Sequence, residues 1–260
     1  MRRRFFCLGA VASLCGCAGA VNPVAVPQGD AVARATAEIG NLPPPPRRTL
    51  ASGEVTTLLT RISRRLEGPA QELCRDIGRG TCDWRVQASR SRDLNAYATL
   101  DGRVVINRGI IEYARNEEEV ALVVGHELAH QAANHVAQSR DNAEVGAAIG
   151  TALGGVIVVA EALGGGRTSA RTHRRTIENA AGTGARLADL AFSKEQEREA
   201  DHLGVRLLAR AGYDPRAARG FLVTMARASR RRETGLFDSH PAGPERLAAF
   251  DALLAELRLG

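Results

Sequence analysis

Lysine is almost missing from this chain. Lys194 is the only one among 35 basic residues; the rest are arginines, scattered rather than gathered into a stripe. A formal charge of +6 spread in that way offers no phosphate-tracking face, so no nucleic-acid partner is expected. A basic surface beside an anionic membrane stays compatible with it. Aromatic residues are scarce too, at 4%, which leaves the core to Leu, Val, Ile and Ala. Long apolar runs are lacking. Residues 5–14 are too short to span a bilayer. Residues 145–160 carry no charge, but Gly154-Gly155 interrupts them and Glu161 closes them just short of bilayer length. That stretch is expected to form a buried or surface-covering hairpin, with a membrane span as the alternative.

The few cysteines are informative. Met1-Arg2-Arg3-Arg4 ahead of the 5–14 run has the shape of a secretory signal, and it ends in Leu14-Cys15-Gly16-Cys17. That ending resembles a bacterial lipobox, whose cysteine is lipidated and begins the mature protein. Cys17 takes that position, although Cys15 stands where Ala or Ser is usual. An ordinary signal peptide with chance cysteines is the alternative. No aspartate follows Cys17, which by resemblance to lipoprotein sorting in Gram-negative bacteria favours the outer membrane. Residues 1–16 are thus expected to be a signal. Residues 17–50, with Pro23, Pro27 and the run 43–46, read as a semi-rigid tether. Residues 51–260 remain for one folded domain. If Cys17 carries lipid, Cys74 and Cys82 are the thiols left, with seven residues between them. In an oxidising periplasm the expectation is a disulfide. Half a metal site is the alternative, but no Cys or His cluster lies nearby to complete it.

Periodicity predicts a mainly helical α+β domain. Val55, Leu58, Leu59, Ile62 and Leu66 follow helical spacing over about 54–73. Residues 84–88 alternate like a strand. Residues 95–100 and 103–107 flank Asp101-Gly102, the signature of a two-residue hairpin turn. Asn116-Glu117-Glu118-Glu119 opens a helix predicted to run to about 140, its acidic start suiting the N-terminal dipole. Residues 164–185 are rich in Gly, Arg and Thr and are expected to be mobile. Further helices are predicted over about 185–211, 215–230 and 244–257.

His126-Glu127-Leu128-Ala129-His130 is an H-E-x-x-H motif in the apolar background of Leu122, Val123 and Val124. Two histidines four apart on a helix project from one face and can share one Zn²⁺. Glu127, one residue round, can reach a metal-bound water as general base. A catalytic zinc needs a third protein ligand and an open position. The best candidate ligand is Glu197, with Asp201 four residues on and on the same face. Asp201 can accept the N–H of a ligand histidine and fix its tautomer. Glu195 and Glu199 are read as a solvated face. His135, about 140° round a continuous helix from His130, is too far to share the metal and is read as structural. His173 and His202 are read as surface residues. His240, in the rigid Ser239-His240-Pro241, can reach the metal site. It would either steady a tetrahedral oxyanion or occupy the open zinc position; structural duty at a helix start is the third reading.

H-E-L-A-H followed by Glu197-Arg198-Glu199-Ala200-Asp201 resembles the HtpX-like zinc metallopeptidases, peptidase family M-48, and among them the periplasmic lipoprotein and chaperone-protease branch. The likeness spans about residues 54–255. Besides those motifs, Asn95-Ala96-Tyr97, Asn107-Arg108-Gly109 and Ser239-His240-Pro241 leading to Glu245-Arg246 carry it. It departs at His202, where an Arg is common, and in the Ala/Gly-rich insert after the metal helix. The resemblance implies a zincin-type, gluzincin-like domain with a small β-sheet beside the H-E-x-x-H helix. It implies one Zn²⁺ held by His126, His130 and Glu197, with Asp201 behind. It also implies cleavage of internal peptide bonds in protein or peptide substrates, often misfolded or membrane-associated proteins. The expected reaction is attack by zinc-activated water with Glu127 as general base. The strand near 95–99 would offer its edge to an extended substrate. The expected place is the periplasmic face of the bacterial cell envelope, anchored by lipid at Cys17. One rival is a non-catalytic binding protein, which would not require Glu127. Another is a structural protein with structural zinc, which would need the fourth position closed.

Overall fold

The computed structural model describes residues 26–40, 43, 45–163, 170–189, 192–229, 240 and 243–257. The expected signal, Cys17, Ser239 and Pro241 lie outside the described residues. In chain order the elements are α1 (Gly29–Ile39), α2 (Ser52–Ile77), β1 (Arg85–Ser89), β2 (Ala96–Ala98), β3 (Arg103–Asn107), α3 (Arg108–Tyr113), α4 (Glu117–Ala132), α5 (His135–Leu163), α6 (Ala170–Asp189), α7 (Lys194–Arg210), α8 (Pro215–Ala218), α9 (Gly220–Ser229) and α10 (Pro244–Glu256). The expected mainly helical fold with a small sheet is what is found, and its core is aliphatic, with Ile62, Leu66, Ile106, Ile110 and Leu207 shut off from solvent.

The sheet is mixed, in the order β1-β3-β2. β1 runs parallel to β3 with Arg85 opposite Arg103, and β2 runs antiparallel to it with Ala96 opposite Ile106. The hairpin turn differs from the expected two-residue form. Thr99 N–H donates to the Arg103 carbonyl at 2.8 Å, so 100–102 form a three-residue loop. Gly102, at φ +80°, takes the left-handed position that such loops assign to glycine.

α4 is the central helix. Asn116 caps it by accepting the Glu119 N–H at 2.8 Å, and its residues from Glu119 onward are buried on every side. It does not continue to 140. Asn134 adopts φ +62°, a conformation that asparagine tolerates better than most residues, and α5 starts afresh at His135. A second division falls at Ser193, whose hydroxyl accepts the Gln196 N–H while Gln196 Oε1 accepts the Ser193 N–H. This capping box separates α6 from α7, so the helix expected over 185–211 is two.

α4 and α7 cross where two glycines meet. A Cβ on Gly204 would lie 3.3 Å from the His126 backbone nitrogen, and one on Gly125 would lie 3.0 Å from Leu208 Cδ1. That close approach brings the His126 face of α4 against the Glu197 face of α7. α5 and α6 form a second pair that meets tightly at Gly154, where a Cβ would lie 2.9 Å from Ile177 Cα. Of the segment expected to be mobile, residues 164–169 lie outside the described residues and the rest is helical from Ala170, while the uncharged run 145–160 lies in one arm of a helical hairpin. Over His135–Val159 this arm is long and apolar enough to cross a membrane. Ile149, Leu153, Val156, Ile157 and Val159 on it are exposed.

The tether reading of 17–50 fails for 29–39. Ala31, Val32, Ala35 and Ile39 make an apolar stripe at helical spacing, and Ala35 and Ile39 are buried in the core cluster. α1 packs on α10, and Arg219 reaches Glu38 at 2.6 Å and Asp251 of α10. Cys74, in the last turn of α2, is disulfide-bonded to Cys82 with 5.7 Å between Cα atoms.

Candidate metal centre

Four side chains from three parts of the chain converge. His126 and His130 come from α4, Glu197 from the first turn of α7, and His240 from the segment before α10. One ligand atom from each lies within 4.8 Å of the others. The two Nε2 atoms of His126 and His130 are 3.0 Å apart. Glu197 Oε1 is 3.3 Å from His130 Nε2 and its Oε2 is 3.5 Å from His126 Nε2. His240 Nδ1 is 2.8 Å from Glu197 Oε1, and its Nε2 is 3.4 Å from Glu127 Oε1. All five are buried.

The chemistry of this donor set calls for a cation. His126 Nδ1 is 2.9 Å from Asp201 Oδ1. A carboxylate can only accept, so the proton sits on Nδ1 and the Nε2 lone pair points inward. Glu127 Oε2 and His240 Nε2 are buried with no hydrogen-bond partner among the described residues; such orphans are costly unless something else binds them. Among the described residues, the buried Glu127, Glu197 and Asp201 face one guanidinium, that of the partly exposed Arg246, which leaves an uncompensated negative charge. Burial pushes the His126 pKa down, as does the Arg246 charge, yet Glu197 and Asp201 outweigh them and raise it to about 9. The pocket thus holds a proton where a metal ion would relieve the same field. His130 goes the other way, because burial dominates and pushes it well below its ordinary value. Burial also works against ionised Glu197 and Asp201, but the Arg246 charge and the imidazoles hold both below the usual carboxylate range. Two imidazoles and a carboxylate are ligands suited to zinc.

The profile of peptidase family M48 matches residues 61–254. The chain belongs to that family. Among its relatives, the Beta-barrel assembly-enhancing protease of Escherichia coli (strain K12) is 29% identical over 159 residues, 60% of this chain and 31% of that protein. Metalloprotease LoiP of the same organism is 28% identical over 184 residues, 71% of this chain and 67% of that protein. Mitochondrial metalloendopeptidase OMA1 of Schizosaccharomyces pombe is 26% identical over 216 residues, 82% of this chain and 57% of that protein. The chain spans about a third of the length of the beta-barrel assembly-enhancing proteases that it matches.

Around the M48 motifs, several residues stand where sequence reasoning did not put them. Glu199, read as solvated, is buried and bonds to His135 at 3.1 Å and to Arg79. His135, read as structural, stays outside the ligand group as expected, but its Nδ1 lies 3.1 Å from His130 Nδ1, a contact that the helical angle does not predict. The break at Asn134 removes the continuous helix on which that angle was reckoned. Arg246 is 2.7 and 2.8 Å from the two Asp201 oxygens and 2.8 Å from Glu197 Oε2; it had been seen only as part of a motif. Phe192 stacks on His130 with ring centroids 3.8 Å apart, and no periodic signal marks it. Glu195 is exposed, as read, and His173 and His202 are partly exposed.

Proposed function

We propose that this M48 chain is a zinc-dependent endopeptidase of the bacterial cell envelope, held at a membrane by lipid on Cys17. The observation that carries the reading is the buried trio His126, His130 and Glu197 with Glu127 beside it, whose Oε2 has no hydrogen-bond partner among the described residues. When bound there, zinc supplies a Lewis acid that acidifies water and polarises the scissile carbonyl. His126, His130 and Glu197 would hold it, and Asp201 keeps the His126 lone pair inward. Arg246 holds Asp201 and Glu197 in place from behind. Glu127, free on Oε2, takes a proton from the attacking water and delivers it to the leaving amine. β2 is an edge strand beside α4 with Tyr97 exposed. It offers main-chain donors and acceptors to an extended, unfolded segment, which suits broad specificity.

The experiment is hydrolysis of an unfolded, casein-like protein by the chain lacking residues 1–16, with and without chelator. Chelation should stop cleavage. Glu197→Ala should lose zinc, whereas Glu127→Gln should retain it and lose hydrolysis by on the order of 10²–10⁴. A Glu127→Gln protein that cleaves like the parent removes Glu127 as the base. Release of Cys17→Ser from the membrane fraction checks the anchor.

His240 supports a refinement. Its ring lies in the ligand group, against Glu197, where a neutral imidazole is a good zinc ligand. In the resting protein it would fill the position that the water needs, and substrate would displace it. His240→Ala then raises basal cleavage at equal zinc content. A fall of about a hundredfold would instead make it an oxyanion donor.

A further inference from the structure

The two histidines of the metal helix are supported differently. His126 donates from Nδ1 straight to Asp201. The neighbour of His130 Nδ1 is another imidazole, His135 Nδ1, at 3.1 Å. His135 Nε2 is 3.1 Å from Glu199 Oε2, and Glu199 Oε1 receives the Arg79 guanidinium. His130, His135 and Glu199 are buried, while Arg79 is 22% exposed at its side chain. Arg79 belongs to the short loop that the Cys74–Cys82 bond closes. The loop backbone rests on the end of the metal helix: a Cβ on Gly80 would fall 1.8 Å from the Gln131 carbonyl oxygen.

Proton positions follow link by link. A carboxylate paired with arginine only accepts, so His135 carries its proton on Nε2. A ring whose one proton sits there presents an unprotonated Nδ1. The contact with His130 is a hydrogen bond only if His130 carries its own proton on Nδ1. That leaves the His130 lone pair on Nε2, the atom facing Glu197 and His126. Reversing any link puts a proton on the atom that should bind metal.

We propose that Arg79, Glu199 and His135 form a relay that sets the tautomer and ring plane of His130, with the Cys74–Cys82 loop as its outer support. These are positioning residues; none meets substrate. The inference rests on the zinc reading above, and it gives the disulfide a task beyond stabilising the fold. Residues behind a metal ligand commonly change metal affinity by about 10- to 100-fold when replaced.

The test is zinc affinity of the full chain, by competition with a chromophoric chelator, together with nitrogen-15 spectra of the histidine rings in zinc-free protein. Glu199→Gln offers an amide that can donate where the carboxylate only accepts. It should weaken zinc binding about 10- to 100-fold and turn His130 into a mixture of tautomers. Glu199→Asp should recover part of both. Arg79→Gln and the paired Cys74→Ala, Cys82→Ala change should shift both readouts in the same direction by smaller factors. Parental affinity with an unmixed Nδ1–H tautomer of His130 in Glu199→Gln overturns the relay. If that variant does not fold, the partly exposed Arg79→Gln decides by the same two readouts. A parent chain that takes up no zinc, yet shows His130 as the Nδ1–H tautomer, sinks the zinc reading and leaves the relay standing.

Discussion

Two helix pairs in this molecule use the same packing device for opposite ends. α4 and α7 approach at Gly125 and Gly204, and α5 and α6 approach at Gly154. In the first pair the approach is sealed inside the domain and nearly every side chain at the crossing is shut from water. All the candidate metal ligands but His240 sit there. In the second pair the outer face of α5 is aliphatic and exposed, and none of the candidate ligands lies on it. A glycine contact therefore sets helix separation but not function. The chemistry follows burial, because only a dry crossing makes unpaired carboxylates and imidazoles costly enough to demand a cation.

The sharpest way to break the comparison is to fill each crossing in turn. Gly204→Val places a branched side chain against the His126 backbone. It should cost about 1–3 kcal/mol and lower zinc content, read by thermal melting and metal analysis. Gly154→Val should open the hairpin yet leave zinc content at the parental value. Loss of zinc in both variants would mean the second pair supports the first.

A smaller effect is expected from pH. The His126 pKa is raised to about 9 in the metal-free site, against an unfolded value near 6.5. Its protonated form therefore contributes stability that is complete below about pH 6.5 and is lost as pH rises through about 9. The melting temperature of chelated protein should fall across that window, and the fall should shrink in Asp201→Asn, where the carboxylate on Nδ1 is gone but Glu197 remains. With zinc bound the slope should reverse, since metal and proton compete for Nε2. A flat profile for chelated protein would show that His126 is neutral there. The smallest effect belongs to the exposed arm. Leu153→Ser and Val156→Ser should each change stability by no more than about 0.5 kcal/mol in solution and leave zinc content untouched. A large loss of stability would mean that the face is covered.

What was legible in the sequence was local. His126, Glu127 and His130 are readable because one helical turn fixes their relation, and Glu197 with Asp201 for the same reason. Glu199 was misread, and the contact of the structural His135 with His130 was not legible, because both depend on events off the helix. The left-handed Asn134 re-aims His135, and burial against Arg79 turns a nominal surface glutamate into a support. Arg246 is separated from Asp201 by 45 positions, and no spacing rule links them. α1 was hidden by prolines on either side, although its apolar stripe is regular. The hairpin loop came out one residue longer because Gly102 can be the left-handed third member of a loop as readily as the second member of a turn.

Arg219 holds Glu38 of α1 and Asp251 of α10 in one clasp, and α1 is the first described helix after the N-terminal segment. Any tension applied through that segment is therefore borne first by the seam between α1 and α10. The first turn of α10 carries Arg246, the brace behind Asp201. A chain anchored at its N-terminus and pulled at a bound substrate would carry its mechanical load along a line that runs directly behind the ligands.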